Sequence, residues 1–301
     1  MNNKALAIVA LALFAGIKAQ AQLSAYLPEK GQLLITSSSQ YQRYGDFWVG
    51  GTRIELEIAT GYDEQRQFST YLTFEYGLLP DLAFDATVGY SWAEFVRGPK
   101  GSPDLTDDGL TDTSIGIRYR LVDERKVTWA PTLTARVGGI IPGTYDDAFP
   151  FSAGDGAGGF ETSLLLGRQI CPGFGLYGEF GYRWRDHDVP EELFGTAGFW
   201  AGYKGVTLSG GYRQTESKYG PDIGDPGFGT EFGFPQTREI DKRLEASLGY
   251  TDDRGRNIAF YYAHTIDGRN TGDKSVYGIS FTIPFGGERP APQGYTKGFA
   301  K

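Results

Sequence analysis

Strict two-residue alternation of side-chain character along residues 109–141 is the feature that most limits what this chain can fold into. Thr113, Ile115, Ile117, Tyr119 and Leu121 fall on one side of an extended backbone, and Asp112, Ser114, Gly116, Arg118 and Arg120 on the other. Successive side chains of a strand point to opposite faces. After a charged break from Val122 to Lys126, Val127, Trp129, Leu133, Ala135, Val137 and Ile141 oppose Thr128, Thr132, Thr134 and Arg136. One face is apolar and the other ionic. A soluble sandwich and a membrane barrel both satisfy this pattern, so the rest of the chain must separate them.

The first residues read as an export signal. Lys4 supplies a basic start, Ala5 to Ile17 is an unbroken run of apolar or small residues, and Ala19-Gln20-Ala21 fits a small-x-small cleavage site, which places the mature start at Gln22. That run is too short to span a bilayer well. No later stretch approaches the roughly 18 uncharged apolar residues of a transmembrane helix. A membrane role therefore requires a closed barrel or peripheral contact. The lone Cys171 forms no internal disulfide, and the formal net charge of −8 makes nucleic acid an unsuitable partner.

Alternation and turn chemistry predict strands over residues 32–44, 68–78, 82–95, 112–121, 127–141, 159–170, 174–185, 193–203, 206–215, 237–250, 257–266 and 275–285. A further alternating piece, residues 52–59, is expected to extend the first hairpin beyond the membrane. The connections alternate in length. Short ones such as Leu79-Pro80-Asp81, Cys171-Pro172-Gly173 and Lys204-Gly205 are separated by long ones such as residues 44–67, 142–158 and 216–236. That segregation is expected of an outer-membrane barrel with both termini in the periplasm. The predicted fold class is all-β: a closed antiparallel transmembrane β-barrel of about twelve strands, with short periplasmic turns and long extracellular loops. Its parts are a signal peptide (1–21), a periplasmic N-terminal segment (22–31), the barrel (32–285) and a periplasmic C-terminal tail (286–301).

The apolar faces gather aromatics toward strand ends, as with Tyr90 and Trp92, Phe174 and Trp184, and Tyr277 and Phe285. This is the pattern of two girdles around a lipid-facing band. The opposite faces then line a lumen. They carry Glu75, Asp85, Asp112, Glu161, Glu179, Glu239, Asp241 and Glu245 against Arg118, Arg120, Arg136, Arg183, Arg185, Arg213 and Arg243. The near-balance of sign argues against strong selectivity for one ionic species. Tyr71, Tyr177 and Trp200, among smaller hydroxyl residues, offer stacking surfaces to a neutral or aromatic solute. The ion pairs either line a conducting pore or fill and stiffen a closed one. Lys242 breaks the pattern on an apolar face, where a mid-bilayer charge costs about 2 to 4 kcal/mol. Its place near the outer strand end allows it to snorkel.

No catalytic site emerges. His264 is expected to face outward with Ile258, Phe260 and Tyr262, without an evident serine partner, and His187 sits in an outer loop between Asp186 and Asp188. The stretch Gly154–Gly159 lacks the lysine and helix of a phosphate loop. Asp104, Asp107 and Asp108, with Asp146 and Asp147, read as solvated loop acids, so neither metal nor cofactor is expected. Residues 222–234, rich in Gly, Pro and Phe, are candidates to fold over the mouth.

Several motifs occur together in order: Leu27-Pro28-Glu29-Lys30-Gly31 before a strand, Glu75-Tyr76-Gly77-Leu78, the run from Gly109 to Leu121, Gly138 to Tyr145, and Gly181-Tyr182-Arg183-Trp184-Arg185. Together they resemble the MetA-pathway of phenol degradation family of bacterial outer-membrane proteins, over most of the mature chain. The resemblance implies a barrel that passes aromatic or other hydrophobic small molecules, and it supplies no catalytic residues. The tail from Gly286 to Lys301 departs from barrels that end on the aromatic read by the barrel-assembly machinery; here Phe285 or Phe299 would serve.

The expected function is passive, selective passage of small hydrophobic or aromatic solutes through the outer membrane. The expected partners are outer-membrane lipid, lipopolysaccharide, the solute and the assembly machinery. The alternatives are a plugged barrel with a structural or adhesive role, and a barrel enzyme acting on envelope lipid.

Overall fold

A computed structural model describes residues 24–97, 104–147, 149 and 153–287. The expected signal peptide with its cleavage site, and the tail beyond Gly287 including Phe299, lie outside these residues.

Twelve antiparallel strands close on themselves: β1 (Leu33–Tyr44), β2 (Tyr62–Leu79), β3 (Leu82–Arg97), β4 (Thr113–Val122), β5 (Thr132–Ile141), β6 (Gly159–Cys171), β7 (Phe174–Arg185), β8 (Glu192–Tyr203), β9 (Val206–Ser217), β10 (Ile240–Thr251), β11 (Asn257–Arg269) and β12 (Ser275–Phe285). Each pairs with its sequence neighbour, and β12 pairs with β1 from Leu33↔Phe285 to Arg43↔Ser275. Closure leaves none of the twelve barrel strands with a free edge in the membrane-spanning part, which is what allows strands to stand in hydrocarbon. The apolar residues of the alternating pattern lie outside, with Ile117, Val137, Phe180 and Phe260 all more than half exposed. An exposed apolar surface of this continuity suits lipid rather than water.

The short connections lie at the end where β1 begins and β12 ends. Lys204 and Gly205 both take positive φ (47° and 82°), the type I′ geometry whose twist matches paired strands. Pro172-Gly173, with Gly173 at φ 79°, suits a type II turn, where the third residue must be left-handed. At the other end the first long loop folds as a hairpin of Asp46–Val49 with Thr52–Glu55, followed by a one-turn helix, Leu56–Thr60.

Two expectations need correction. Residues 127–131 are turn and not strand: the Asp123 carbonyl accepts from Lys126 N and Val127 N, both at 2.9 Å, and Pro131 has no N–H for a ladder. This leaves Trp129 86% exposed beyond the strands. Conversely, Leu105–Leu110, expected as loop, is a strand on the outer half of β3, from Tyr90↔Leu110 to Phe95↔Leu105. It continues β4 outward past an interruption at Thr111-Asp112, where the break frees the Asp112 side chain for contacts described below.

The Asp123 carboxylate closes that same periplasmic turn. It accepts from Arg125 N and Nε, both at 3.0 Å, and from Arg125 Nη2 at 2.7 Å. The Arg125 guanidinium holds its pKa down at about 2. A carboxylate with a depressed folded pKa stabilises at pH above its unfolded value, and the contribution fades as pH falls through the folded value. Arg125 is 71% exposed, so screening limits the effect. Asp123→Asn should therefore cost about 1 kcal/mol at pH 7 and little near pH 2. Urea titrations at the two pH values test this.

Candidate functional site

Arginines on β4, β5 and β7 reach carboxylates on other strands across the inside of the barrel. Arg118 of β4 extends past β3 to Glu75 of β2, with Nη2–Oε2 at 2.7 Å, and its Nε lies 3.2 Å from Asp85. Arg136 of β5 likewise passes β4 to reach Asp85 at 2.7 Å, and it also binds Glu161 of β6 and Ser114 Oγ. Arg183 of β7 lies 3.1 Å from Glu161 and 2.7 Å from Glu192 of β8. Contacts that skip a strand form only on the concave face. Charges alternate along this chain from Glu75 to Glu192, so each carboxylate within it lies between two guanidiniums. Pairing is what makes such burial tolerable, because a lone ion there would keep its full desolvation penalty.

A second cluster occupies β9 to β11. Arg213 Nε donates to Glu245 Oε1 at 2.8 Å, and Tyr261 donates to the same oxygen at 3.0 Å. Arg243 binds Asp241, while Lys274 Nζ stands 3.5 Å from Glu239 and 3.6 Å from Asp241. Between the two clusters Glu179 stands opposite Thr196, Tyr177 opposite Gly198 and Trp200 opposite Gly175. The glycines leave room for these rings; a Cβ on Gly175 would meet Trp200 at 2.5 Å, and one on Gly198 would meet Tyr177 at 2.4 Å. Arg185 pairs with Asp112 and Asp155 near the outer end, and Arg120 with Asp81 at the periplasmic end.

The base of the lumen is crossed by the N-terminal segment. Arg118 Nη1 donates to Ser24 O at 3.1 Å, Thr134 Oγ1 to Ala25 O at 2.7 Å, and the Tyr26 hydroxyl to Glu124 at 2.8 Å. Farther along, Gly31 N donates to Gly77 O at 2.8 Å. The segment runs so close to β2 that a Cβ on Gly77 would lie 2.0 Å from Glu29 O. Its path spans the inner faces of β2 through β6, the last by contact of the Tyr26 ring with Gly167.

The outer end is narrowed by two features. Tyr44, Ala93 and Phe95, on the inner faces of β1 and β3, pack with Phe47, Leu56 and Phe149 from the loops into an apolar cluster. The Phe95 and Phe149 ring centroids are 5.4 Å apart. Against the first loop, the long β9–β10 loop is pinned by Asp222, which binds Arg269 and accepts from Asn270 Nδ2 at 2.8 Å, while Asn270 Oδ1 accepts from Gly50 N at 2.7 Å. This fastening brings Phe234, Pro235 and Thr237 over a chamber of about 220 Å³. Gln40, Gln42, Gln67 and Tyr71 form one of its walls, and Arg213, Arg243, Glu245 and Tyr261 another. Loop residues Asp147, Gly154 and Asp155 contribute as well. Beside it, Tyr145 donates to Asp112 at 2.5 Å, and burial followed by that bond raises its pKa.

Sequence phase missed Phe194, which lies inward with its ring 5.2 Å from the Arg183 guanidinium. Its two-residue spacing from Glu192 and Thr196 carried the signal. It also missed Tyr261 and Lys274. Lys242 is outward and 2.5 Å from Asp267, beside an irregularity in the β10–β11 register. Its neighbour His264 is outward too, but a serine is within reach, contrary to expectation: Nδ1 lies 3.2 Å from Ser275 Oγ, and Nε2 3.7 Å from Asp273. Among the described residues no group of three or more His, Cys, Asp or Glu is placed to hold a metal ion. In the outer loop, the Asp186 carboxylate beside His187 raises the imidazole pKa.

No family model and no curated protein matches the chain. Among solved structures it is similar to the COG4313 outer membrane channel from Pseudomonas putida F1, at 10% identity and TM-score 0.67, over 86% of this chain and 97% of that one. The fold is that of an outer-membrane β-barrel. Weaker likenesses are to the translocator domain of the autotransporter NalP from Neisseria meningitidis (15% identity, TM-score 0.45, 86% and 90% covered) and to the CymD monoaromatic hydrocarbon channel (10%, 0.43, 86% and 90%).

Proposed function

We propose that this chain is an outer-membrane channel for passive passage of small solutes. The observation that carries this reading is the chamber inside the barrel, which is bounded by anchored loops and backed by paired charges. A lumen meant only to stiffen the wall would gain by filling that space. The finer expectation of aromatic or hydrophobic solutes comes from the family resemblance, and the inward Tyr71, Tyr177, Phe194 and Trp200 are the surfaces on which a ring would stack. The predicted pore-lining residues belong to the same proposal, as do insertion by the assembly machinery and contact with lipopolysaccharide.

Purified protein in planar bilayers and liposomes tests it. Arg136→Ala and Arg183→Ala each remove a fixed cation beside Glu161, so ion selectivity should move toward cations while assembly persists. Unchanged currents in both variants would reject the lumen assignment. Absence of any current from folded protein would favour the plugged barrel.

A second reading, hydrolysis of outer-leaflet lipid, draws on the Ser275–His264–Asp273 contacts. It ranks lower because 3.7 Å is beyond hydrogen-bond distance and Asp273 is held at 2.5 Å by Arg53. Phospholipid hydrolysis that disappears in Ser275→Ala would reverse that order.

A further inference from the structure

The outer chamber presents hydrogen-bonding groups that protein contacts leave unused. Both bonds to Glu245 fall on Oε1, one from Arg213 and one from Tyr261. Among the described residues, Glu245 Oε2 therefore retains its acceptor capacity. Arg213 uses Nε for that bond, so its two terminal nitrogens retain their donors. An acceptor and a forked donor thus stand side by side on one wall. On the facing wall Gln42 gives its amide nitrogen to Gln67 at 3.0 Å, which leaves the Gln42 carbonyl oxygen as an acceptor. Phe234 and Pro235 supply an apolar surface beside the rings of Tyr71 and Tyr261.

An acceptor beside a donor matches two adjacent hydroxyls. One hydroxyl donates to the carboxylate oxygen while its neighbour accepts from the guanidinium. A hydrocarbon in the same place would strip water from these groups without replacing its hydrogen bonds. A strongly charged solute would have to compete with the existing pairs. We propose that this chamber takes a solute bearing vicinal hydroxyl groups, from either a sugar or a dihydroxylated aromatic ring, in preference to a hydrocarbon. The inference deepens the channel reading and rests on it for transport, though binding itself can be measured separately.

The test uses the full chain, folded in detergent for calorimetry and in planar bilayers for current block. The probes are catechol, phenol, a hexose and toluene. Catechol should bind and block at a concentration about tenfold lower than phenol, the difference expected for one added hydrogen bond to a charged group. Arg213→Lys keeps a cation beside Glu245 but removes the fork, so it should abolish the catechol preference while the barrel still folds. Gln42→Leu, which leaves the charged wall intact, should weaken binding of catechol and of the hexose.

Binding of catechol alone or of hexose alone supports the inference and names the source. Phenol or toluene binding as tightly as catechol overturns it, with the channel reading intact if current flows. Hydroxylated probes that bind to folded protein carrying no current would uphold the site and reject the channel. No binding by any probe rejects the site.

Discussion

Arg118→Ala should destabilise the folded barrel by about 3 to 5 kcal/mol. The guanidinium has no exposed surface and lies 2.7 Å from Glu75 and 3.2 Å from Asp85, which Arg136 also binds. Truncation takes this guanidinium away from two nearly buried carboxylates, Glu75 and Asp85, and the penalty is that of the weakened charge compensation more than of the lost bonds. Urea unfolding, followed by the electrophoretic shift between folded and unfolded barrel, measures the loss. A variant combining Arg118→Met with Glu75→Gln should recover much of it, since the two ions are then removed together. If Arg118→Ala unfolds at the wild-type urea concentration, the charge chain contributes nothing to stability.

Gly77→Ala should raise single-channel conductance several-fold. Its methyl group would lie 2.0 Å from Glu29 O, a distance no packed structure accommodates, and the strand is held on both sides by its neighbours. The N-terminal segment is the part able to move, and its displacement opens the base of the lumen. Gly139→Ala is the control, because a Cβ there meets nothing within 4 Å. Equal conductance in both variants would mean that the segment does not limit flow.

The barrel was legible because alternation is a local signal: each strand declares its two faces without reference to any other. The inward phase of Arg118, Arg136 and Arg183 followed directly from the apolar phase of Ile117, Val137 and Tyr182. Features that depend on tertiary contact were not legible. Nothing in Ser24-Ala25-Tyr26 announces that its carbonyls meet Arg118 and Thr134, residues about a hundred positions away. Nor does Phe149 declare its packing on Phe95. Phe194 was lost for another reason: the predicted strand began at residue 193, so the phase that Phe194 shares with Glu192, the partner of Arg183, was out of view. Ser275 escaped notice because its approach to His264 is set by register between β11 and β12, where the two residues are paired.

The pairing of β1 with β12 has a consequence for assembly. Below Arg43 at the outer rim, neither strand carries a carboxylate, ammonium, guanidinium or imidazole group, and their inner faces meet through hydroxyls, with Thr36 and Thr282 at 2.9 Å. The ionic side chains begin on the neighbouring strands β2 and β11. While a nascent sheet is still open, its two free margins are the parts most exposed to hydrocarbon or to a foreign strand. Margins of serine and threonine can wait there without a buried charge and then join in any order along their length. The last step of insertion is thereby separated from the desolvation of ions, which can be completed earlier on strands that already have both neighbours.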